Sequence, residues 1–295
     1  MSESSLNDHA AKALVGLIGA GIQRSLTPAM QEAEARAQGL RLHYQLIDLD
    51  RTGQSVEALA MLVSAARTMG FAGLNITYPC KQAVIPLLDD LSDEARAMGA
   101  VNTVVFKGGR AVGHNTDGSG WRWGFERSLP GADLSRVVLL GAGGAGSAIA
   151  HAVLRMGAKE LVLVDSDGAR AEALAQSLNA HYGSGRASGS ADAAAALQGA
   201  SGLIHATPTG MDKLPGMPIA SALLRRELWV SEIVYFPLDT ALLKAARAIG
   251  CAVCDGGTMA VGQALGAFEL FTGLQADAAR VDAHFRALVG ARAGS

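Results

Sequence analysis

The sequence has few cysteines, no long apolar run and no block of like charges. Three cysteines in 295 residues are too few for the disulfide framework of a small secreted domain. No apolar run approaches the roughly 20 residues that cross a bilayer, and the polar first twelve residues differ from a secretory signal. We therefore expect a cytoplasmic protein with no membrane partner.

The charges of the chain are balanced, which argues against a polyanionic partner. There are 25 Lys and Arg residues against 27 Asp and Glu residues, a formal net charge of −2. Proteins bind nucleic acids mainly through Lys and Arg contacts to phosphates, so no nucleic-acid partner is expected. The length suits two domains, and an apolar share of 49% predicts that they are compact.

The sequence offers no convincing metal ligands. Cys251 and Cys254 have C-x-x-C spacing, but there is no second pair, and alternation along a strand would direct the two thiols to opposite faces. Free cysteine is among the most buried residue types, so we interpret both as buried thiols. The seven histidines show no metal-ligand spacing, and no metal is expected.

Apolar segments with strand character alternate with segments of helical periodicity, which predicts an α/β fold with mostly parallel sheets covered on both faces. The first series has strands at 14–19, 43–49, 72–77, 101–106 and 111–114, and helices at 29–38, 55–69 and 81–88. After a connecting helix at 118–129, the second has strands at 137–140, 161–164, 203–206 and 229–234, and helices at 144–156 and 169–178. Residues 182–199 are predicted as a loop with a short helix, and helices at 258–272 and 277–288 close the chain.

The segment Gly141-Ala142-Gly143-Gly144-Ala145-Gly146 fits the pattern G-x-G-x-x-G. It follows an apolar strand and opens an apolar helix, the context in which this pattern binds a dinucleotide. The glycines let the backbone approach a pyrophosphate, and the helix N-terminus offers unpaired N–H groups. A doubly wound, Rossmann-type domain is therefore predicted, the alternative being a glycine-rich turn that only packs a strand against a helix.

Asp165 lies nineteen residues after Gly146, at the end of the next predicted strand. A carboxylate there can hydrogen-bond the adenosine ribose and would repel the 2′-phosphate of NADP. Arg170 could stack near the adenine or cap its helix locally, so it does not decide the cofactor. We predict NAD, with NADP as the less favoured alternative.

A second candidate site surrounds Lys81, in the segment Asn75-Ile76-Thr77-Tyr78-Pro79-Cys80-Lys81. Pro79 fixes φ and lacks an N–H, so the chain must turn there. Lys81 then lies near the carboxyl end of a strand, where open α/β folds bind ligands. A lysine that loses solvation in such a crevice can act as a base, whereas the simpler interpretation is a surface lysine after a turn.

Taken together, these and other segments resemble the shikimate/quinate dehydrogenase family over nearly the whole chain. The segments that carry the resemblance are Ser25-Leu26-Thr27-Pro28, 75–81, 99–103, Asn115-Thr116-Asp117, 206–211, 234–237, and 256–259 with Gln263. The resemblance implies a two-domain reductase of cyclohexane or cyclohexene polyol acids. It implies a substrate domain at 1–117 completed by 258–295, a dinucleotide-binding domain at 118–257, and an active site in the cleft.

The resemblance also implies roles for individual residues. Lys81 and Asp117 would be the catalytic pair, which handles the hydroxyl proton while hydride moves to the nicotinamide. The polyol acid would contact Ser25, Thr27, Thr77, Asn102, Tyr235 and Gln263. Besides 141–145 and Asp165, the cofactor would contact Arg170, Ala206, Thr207, Pro208, Met211, Ile233 and Gly256.

Simpler interpretations remain open for some of these residues. Asp117 could cap the helix that follows it, and Ser25 and Thr27 could cap the helix after Pro28. His205 stands where the family has asparagine, which puts one cofactor-side contact in doubt.

Within the family, Thr27, Ile76 and the Lys81-Gln82 pair resemble the NAD-dependent quinate/shikimate dehydrogenase branch. This resemblance implies reversible oxidation of the C3 hydroxyl of quinate and shikimate to 3-dehydroquinate and 3-dehydroshikimate. Alternatives are an NADP-dependent shikimate dehydrogenase of aromatic amino-acid biosynthesis, an enzyme for an amino-substituted analogue, and a non-catalytic NAD sensor. The preferred substrate, the physiological direction and the choice between monomer and homodimer stay open.

Overall fold

A computed structural model describes residues 12–293, and two six-stranded sheets organise them. The first sheet contains β1 (Lys12–Gly19), β2 (Arg41–Asp48), β3 (Gly73–Ile76), β4 (Asp90–Leu91), β5 (Thr103–Lys107) and β6 (Arg110–His114). The second contains β7 (Arg136–Leu140), β8 (Glu160–Val164), β9 (Ala187–Ser190), β10 (Gly202–His205), β11 (Trp229–Glu232) and β12 (Val253–Cys254).

Eleven α-helices within the described residues surround these sheets. They are α1 (Thr27–Ala37), α2 (Leu49–Thr52), α3 (Leu59–Thr68), α4 (Asp93–Met98), α5 (Asp117–Ser128), α6 (Gly144–Arg155), α7 (Gly168–Tyr182), α8 (Ala193–Leu197), α9 (Ala241–Ile249), α10 (Gly256–Thr272) and α11 (Ala278–Ala293). Short 3₁₀ turns add to them, one of them at Ile85–Leu87.

The first sheet has the order β2-β1-β3-β5-β6-β4. Strands β1, β2 and β3 are parallel, whereas β5 and β6 form an antiparallel hairpin beside β3. One cluster of buried side chains joins Leu74 to Leu59 and Val63 of α3. Another cluster includes Ala267 and Phe271 of α10, so helices cover both faces and the carboxyl ends of β1 and β3 stay open for a site.

The second sheet is entirely parallel, with the order β12-β11-β10-β7-β8-β9. Numbered within this sheet alone, the order is that of a Rossmann fold, in which the first and fourth strands are neighbours. The chain leaves β7 toward β8 and later returns to β10 on the other side, which makes the β7–β10 boundary the topological switch point. Ligands of such sheets bind outside the carboxyl ends of the strands at that point.

Helices α5 and α10 cross in close contact between the two sheets. A Cβ atom added to Gly120 would lie 2.3 Å from the backbone nitrogen of Gln263, and one on Gly262 would lie 2.3 Å from the carbonyl oxygen of Gly120. Glycine is therefore required on both helices for their backbones to approach. The crossing fixes Asp117, at the start of α5, relative to Gln263 on α10.

Three local expectations differ from the structure. The predicted helix at 81–88 is a series of turns ending in the 3₁₀ turn at Ile85–Leu87, because Pro86 lacks an N–H and disfavours helical geometry at the residue before it. Residues 182–199 contain the edge strand β9 as well as α8. Helices α2, α4 and α9 and the two-residue strands β4 and β12 were not predicted.

Glu34 of α1 is a buried carboxylate, with 1% of its side chain exposed, that ties the last helix to the first. Arg280 of α11 donates to both carboxylate oxygens, at 2.6 and 2.8 Å, and the Asp277 N–H donates at 2.9 Å. Burial raises the pKa of Glu34, but the hydrogen bonds from Arg280, Asp277 and Gln38 outweigh it and lower the pKa below its ordinary value.

Arg280→Met should lower the free energy of unfolding at pH 7 by about 1–3 kcal/mol, because a buried carboxylate loses its charged donor. Since the folded pKa of Glu34 is lowered, its contribution is complete above the ordinary pKa near 4.5 and is lost as the pH falls through the folded value. Urea unfolding at pH 7 and at pH 4 measures both effects, and the deficit of the variant should shrink at the lower pH. Arg122→Met, which removes an exposed pair with Glu126, is the control and should cost under about 0.5 kcal/mol; equal losses would contradict the prediction.

Candidate active site

A cavity of about 510 Å³ lies at the carboxyl ends of β1 and β3 and extends to α10. It brings together all the residues that the sequence assigned to catalysis or substrate binding: Lys81, Asp117, Ser25, Thr27, Thr77, Asn102, Tyr235 and Gln263. Four residues assigned to the cofactor also line it, namely Ala145, Met211, Ile233 and Gly256.

Lys81 and Asp117 form a partly buried ion pair in this cavity. The Lys81 Nζ atom lies 2.5 Å from Asp117 Oδ2, with 23% and 10% of the two side chains exposed. Asn102 Nδ2 donates to the other oxygen, Oδ1, at 2.8 Å. Both carboxylate oxygens are thus engaged by side chains of the cavity. The N-cap residue of α5 is Thr116 and not Asp117, and the first N–H of the helix, that of Asp117, donates to Asn115 Oδ1 at 3.0 Å, so the structure does not place Asp117 as the cap.

A chain of buried hydrogen bonds holds Asn102 in place beneath the ion pair. The hydroxyl of Tyr44 donates to Asn75 Oδ1 at 2.7 Å, and Asn75 Nδ2 donates to Thr103 Oγ1 at 3.0 Å. Thr103 Oγ1 donates in turn to Asn102 Oδ1 at 2.9 Å. Burial raises the pKa of Tyr44 above its ordinary value, so its hydroxyl remains a donor. Sequence reasoning gave Tyr44, Asn75 and Thr103 no role, although polar residues inside apolar strands were a usable signal.

The substrate side of the cavity is rich in hydroxyl and amide groups. Ser25 Oγ accepts the Thr27 N–H at 3.3 Å, at the start of α1. The N-cap residue of α1 is Leu26, whose side chain makes no capping hydrogen bond. The capping alternative therefore stays open for Ser25, whereas Thr27 is the first residue of α1 and not its cap. Arg24 and Lys213, which sequence reasoning missed, also line the cavity. Hydroxyls, amides and cations together suit a polyol that carries a carboxylate.

The glycine segment 141–146 joins β7 to α6 at the switch point. A Cβ atom on Gly146 would lie 1.9 Å from the Gly141 carbonyl oxygen, so close packing alone requires glycine there. A Cβ atom on Gly143 or Gly144 would meet no other atom within 4 Å. The space in front of the α6 N-terminus is therefore open, and its N–H groups fit a pyrophosphate.

Asp165 lies directly after β8 and contacts the glycine segment. Its Oδ2 atom accepts the Ala142 N–H at 2.8 Å, and Oδ1 accepts the Asp167 N–H at 2.9 Å. Burial raises the pKa of Asp165, but these two hydrogen bonds and the charge of Arg170 outweigh it, so that the pKa is lowered and the group is ionised at neutral pH. The guanidinium of Arg170 lies 3.8 Å from Asp165 and 3.4 Å from Asp167, which places Arg170 in local ion pairs.

The remaining residues assigned to the cofactor follow the ends of neighbouring strands. The Ala206 N–H donates to the Leu140 carbonyl at 2.7 Å, which brings the segment 206–208 beside the glycine segment. Ile233 follows β11, and Gly256 opens α10. The assigned residues thus line the carboxyl edge of the second sheet, and those at 145, 211, 233 and 256 continue into the cavity.

Three further observations concern the cysteines, the potential metal ligands and the helix lengths of the described residues. Cys251 and Cys254 are buried free thiols, as expected. Within residues 12–293, no group of three or more His, Cys, Asp or Glu residues is arranged to hold a metal ion. In the same range, no helix is both long enough and apolar enough to cross a membrane.

Comparisons with known proteins show the family to which the chain is similar. The family model for the shikimate dehydrogenase substrate binding domain matches residues 17–104. A shikimate dehydrogenase (NADP(+)) of Streptomyces avermitilis is 56% identical over 95% of this chain and 97% of its own length. A quinate/shikimate dehydrogenase (NAD(+)) of Corynebacterium glutamicum is 47% identical over 93% of this chain and 98% of its own.

Among solved structures, quinate dehydrogenase from Corynebacterium glutamicum in complex with NAD superimposes with a TM-score of 0.90. Its sequence is 45% identical, and the match covers 94% of this chain and 99% of that one. The predicted two-domain architecture with a Rossmann-type unit is confirmed. The chain belongs to the shikimate dehydrogenase family and is an oxidoreductase of that family.

Proposed function

We propose that this chain is a NAD-dependent quinate/shikimate 3-dehydrogenase, which reversibly oxidises the C3 hydroxyl of either acid to the 3-dehydro ketone. The observation that carries the proposal is the ion pair of Lys81 and Asp117, with Nζ and Oδ2 2.5 Å apart. The pair opens into a cavity of hydroxyl and amide groups that adjoins the glycine segment. A proton-transfer group and a site for a hydride acceptor therefore share one cleft.

Lys81 performs the proton transfer in this proposal. In the reductive direction, the ammonium of Lys81 donates a proton to the ketone oxygen. In the oxidative direction, the amine left by loss of that proton takes it back from the substrate hydroxyl. Asp117 holds Nζ through Oδ2, while Asn102 fixes the carboxylate through Oδ1. When bound, the nicotinamide ring supplies the carbon that accepts hydride.

The charges near the adenosine end support NAD over NADP. Asp165 and Asp167 carry two negative charges against the single positive charge of Arg170, so the cluster has a net charge of −1. A 2′-phosphate would approach this excess negative charge, whereas ribose hydroxyls can donate to Asp165. The Streptomyces relative bears NADP(+) in its name and the Corynebacterium relative NAD(+), so the cofactor must be tested directly.

The substrate assignment is supported by the polar groups of the cavity. Arg24 and Lys213 supply positive charge for a ring carboxylate, and Ser25 and Thr27 supply hydroxyls. Compared with a serine at this position, Thr27 has an additional methyl group where the substituents at C1 of the acid would lie. One methyl group changes selectivity by only about 1–3 kcal/mol, so both quinate and shikimate are proposed as substrates.

We also propose that residues 1–117 with 258–295 form the substrate domain, and that 118–257 form the cofactor domain. The separate sheets at 12–114 and 136–254 support this division, although α10 already begins at Gly256. A cytoplasmic location and either a monomer or a homodimer complete the proposal.

Initial rates with quinate or shikimate, each against NAD and NADP, test the proposed function. We expect turnover of both acids with NAD. We expect kcat/KM to be at least about tenfold lower with NADP, a difference of about 1.4 kcal/mol. Activity confined to shikimate with NADP would contradict the cofactor and substrate assignments. Lack of oxidation with every pair would contradict the reaction itself.

A further inference from the structure

His205 and Glu232 form a buried pair beneath the segment that follows β10. They are the last residues of β10 and β11, and the parallel register places them side by side. His205 Nδ1 lies 2.8 Å from Glu232 Oε1, and neither side chain is exposed to solvent. Buried ionisable groups are costly unless their hydrogen bonds are satisfied, so the partners of each atom define what the pair does.

Glu232 is surrounded by hydrogen-bond donors. Its Oε1 atom accepts the N–H groups of Ile233 at 2.9 Å and Val234 at 3.0 Å, in addition to His205. Its Oε2 atom accepts the hydroxyl of Thr240 at 3.0 Å. Because Oε1 accepts two backbone N–H groups, it is the acceptor in its contact with His205 as well, and Nδ1 of the imidazole carries a proton.

This proton position determines the direction of the next hydrogen bond. His205 Nε2 lies 2.5 Å from Thr207 Oγ1. With the imidazole neutral, its single proton is on Nδ1 and Nε2 is an acceptor, and the Thr207 hydroxyl then donates its proton inward to His205. Thr209 N–H donates to the same oxygen at 3.3 Å. What remains on Thr207 Oγ1 is one lone pair, which can only accept a hydrogen bond.

Thr207 lies at the switch point of the second sheet. A Cβ atom on Gly141 would lie 3.1 Å from Thr207 Cγ2, so the threonine adjoins the glycine segment. Asp165 follows β8, on the opposite side of β7 from β10. If Asp165 meets the adenosine ribose, Thr207 lies toward the other half of a bound dinucleotide, on the same side as Ile233 and the cavity.

We propose that His205 is a positioning residue that fixes Thr207 as a hydrogen-bond acceptor for the nicotinamide half of the cofactor. The group it receives is a donor, either a ribose hydroxyl or the carboxamide N–H. Phosphate oxygens, which only accept, are not its target. The inference rests on the proposed cofactor function. It adds that His205 decides whether Thr207 donates or accepts in its hydrogen bond to the cofactor.

The test compares His205→Leu, Thr207→Val and the double variant with the wild-type protein. Dissociation constants for NADH and for AMP, which lacks the nicotinamide half, are measured by calorimetry. His205→Leu and Thr207→Val should each weaken NADH about tenfold, the equivalent of one hydrogen bond, and leave AMP within about twofold. The double variant should be no more than about twofold weaker than Thr207→Val, because His205 acts through Thr207.

A conservative variant separates positioning from folding. In His205→Gln, an amide N–H can donate to Glu232 while the amide oxygen accepts from Thr207, so NADH affinity should stay within about threefold of wild type. Additive losses in the double variant, or equal losses for NADH and AMP, would overturn the inference. If His205→Leu does not fold, Thr207→Ser and Thr207→Val decide, and equal affinities for NADH overturn it.

Failure of the proposed function has a different signature. A wild-type protein that binds neither NADH nor NADPH would overturn the nicotinamide cofactor and this inference with it. A wild-type protein that binds and turns over while the His205 and Thr207 variants bind NADH unchanged would overturn the inference alone.

Discussion

Lys81→Met is expected to lower kcat for oxidation of quinate and shikimate by about 10²–10⁴-fold, the range that general acid–base catalysis contributes. Methionine keeps the length and the apolar stem of lysine but has no amine, so the loss isolates proton transfer. Asp117 retains its hydrogen bond from Asn102 at 2.8 Å, which keeps the start of α5 in place. Steady-state rates and NADH titration measure the two effects, and NADH affinity should change by less than about threefold, under one hydrogen bond in free energy.

Lys107→Met is the matched control for this experiment. Lys107 is an exposed lysine at the end of β5, outside the cavity, so its loss should leave both kcat and NADH affinity unchanged. A Lys81→Met variant with the turnover of wild type would exclude Lys81 as the proton acceptor. A wild-type protein that bound NADH but had no activity would support the alternative of a non-catalytic NAD sensor.

The parts of the site that local sequence patterns predicted are those at strand ends. The glycine segment, Asp165 and Lys81 each follow a short apolar strand. Because the carboxyl ends of parallel strands meet at one edge of a sheet, a local pattern was enough to place each near a ligand crevice. Local patterns could not predict that Lys81 and Asp117 lie together, because Lys81 follows β3 and Asp117 begins α5. Only the family resemblance placed the two residues in one site.

What the sequence did not predict depends on contacts between distant residues. Strand β9 has the sequence Ala-Ser-Gly-Ser and no apolar alternation; it is a strand because β8 offers it an edge to pair with. An apolar strand pattern likewise does not predict the role of Glu232. Its hydrogen-bond partners are His205 of β10, Thr240 and the backbone after β11. Tyr44 reaches the catalytic pair only through side chains from β3 and β5.

Asp165→Asn should shift the ratio of kcat/KM for NAD to that for NADP by about 100-fold in favour of NADP. Loss of a charged acceptor for the ribose hydroxyls should cost about tenfold with NAD, since hydrogen bonds to charged groups contribute about 1.5–3 kcal/mol. Loss of repulsion should improve NADP by a similar factor, because Arg170 is then free of one of its two carboxylate partners and can meet a 2′-phosphate. Initial rates with saturating quinate or shikimate measure the ratio.

Two further variants separate the charge of Asp165 from its hold on the glycine segment. Asp167→Asn removes an equal charge two residues away and also frees Arg170 of one carboxylate partner, while asparagine still caps α7. It should therefore improve NADP, but leave NAD within about threefold because Asp165 keeps its carboxylate for the ribose. Asp165→Ala also removes the acceptor of the Ala142 N–H, which lies 2.8 Å from Oδ2, so it should weaken both cofactors, and NAD more than NADP. Asparagine keeps an oxygen for that N–H, and the Asp165→Asn variant should therefore use NADP better than the Asp165→Ala variant does. Equal losses for NAD and NADP in Asp165→Asn would show that the carboxylate only braces the glycine segment, and the charge near the adenosine ribose would then have no part in choosing the cofactor.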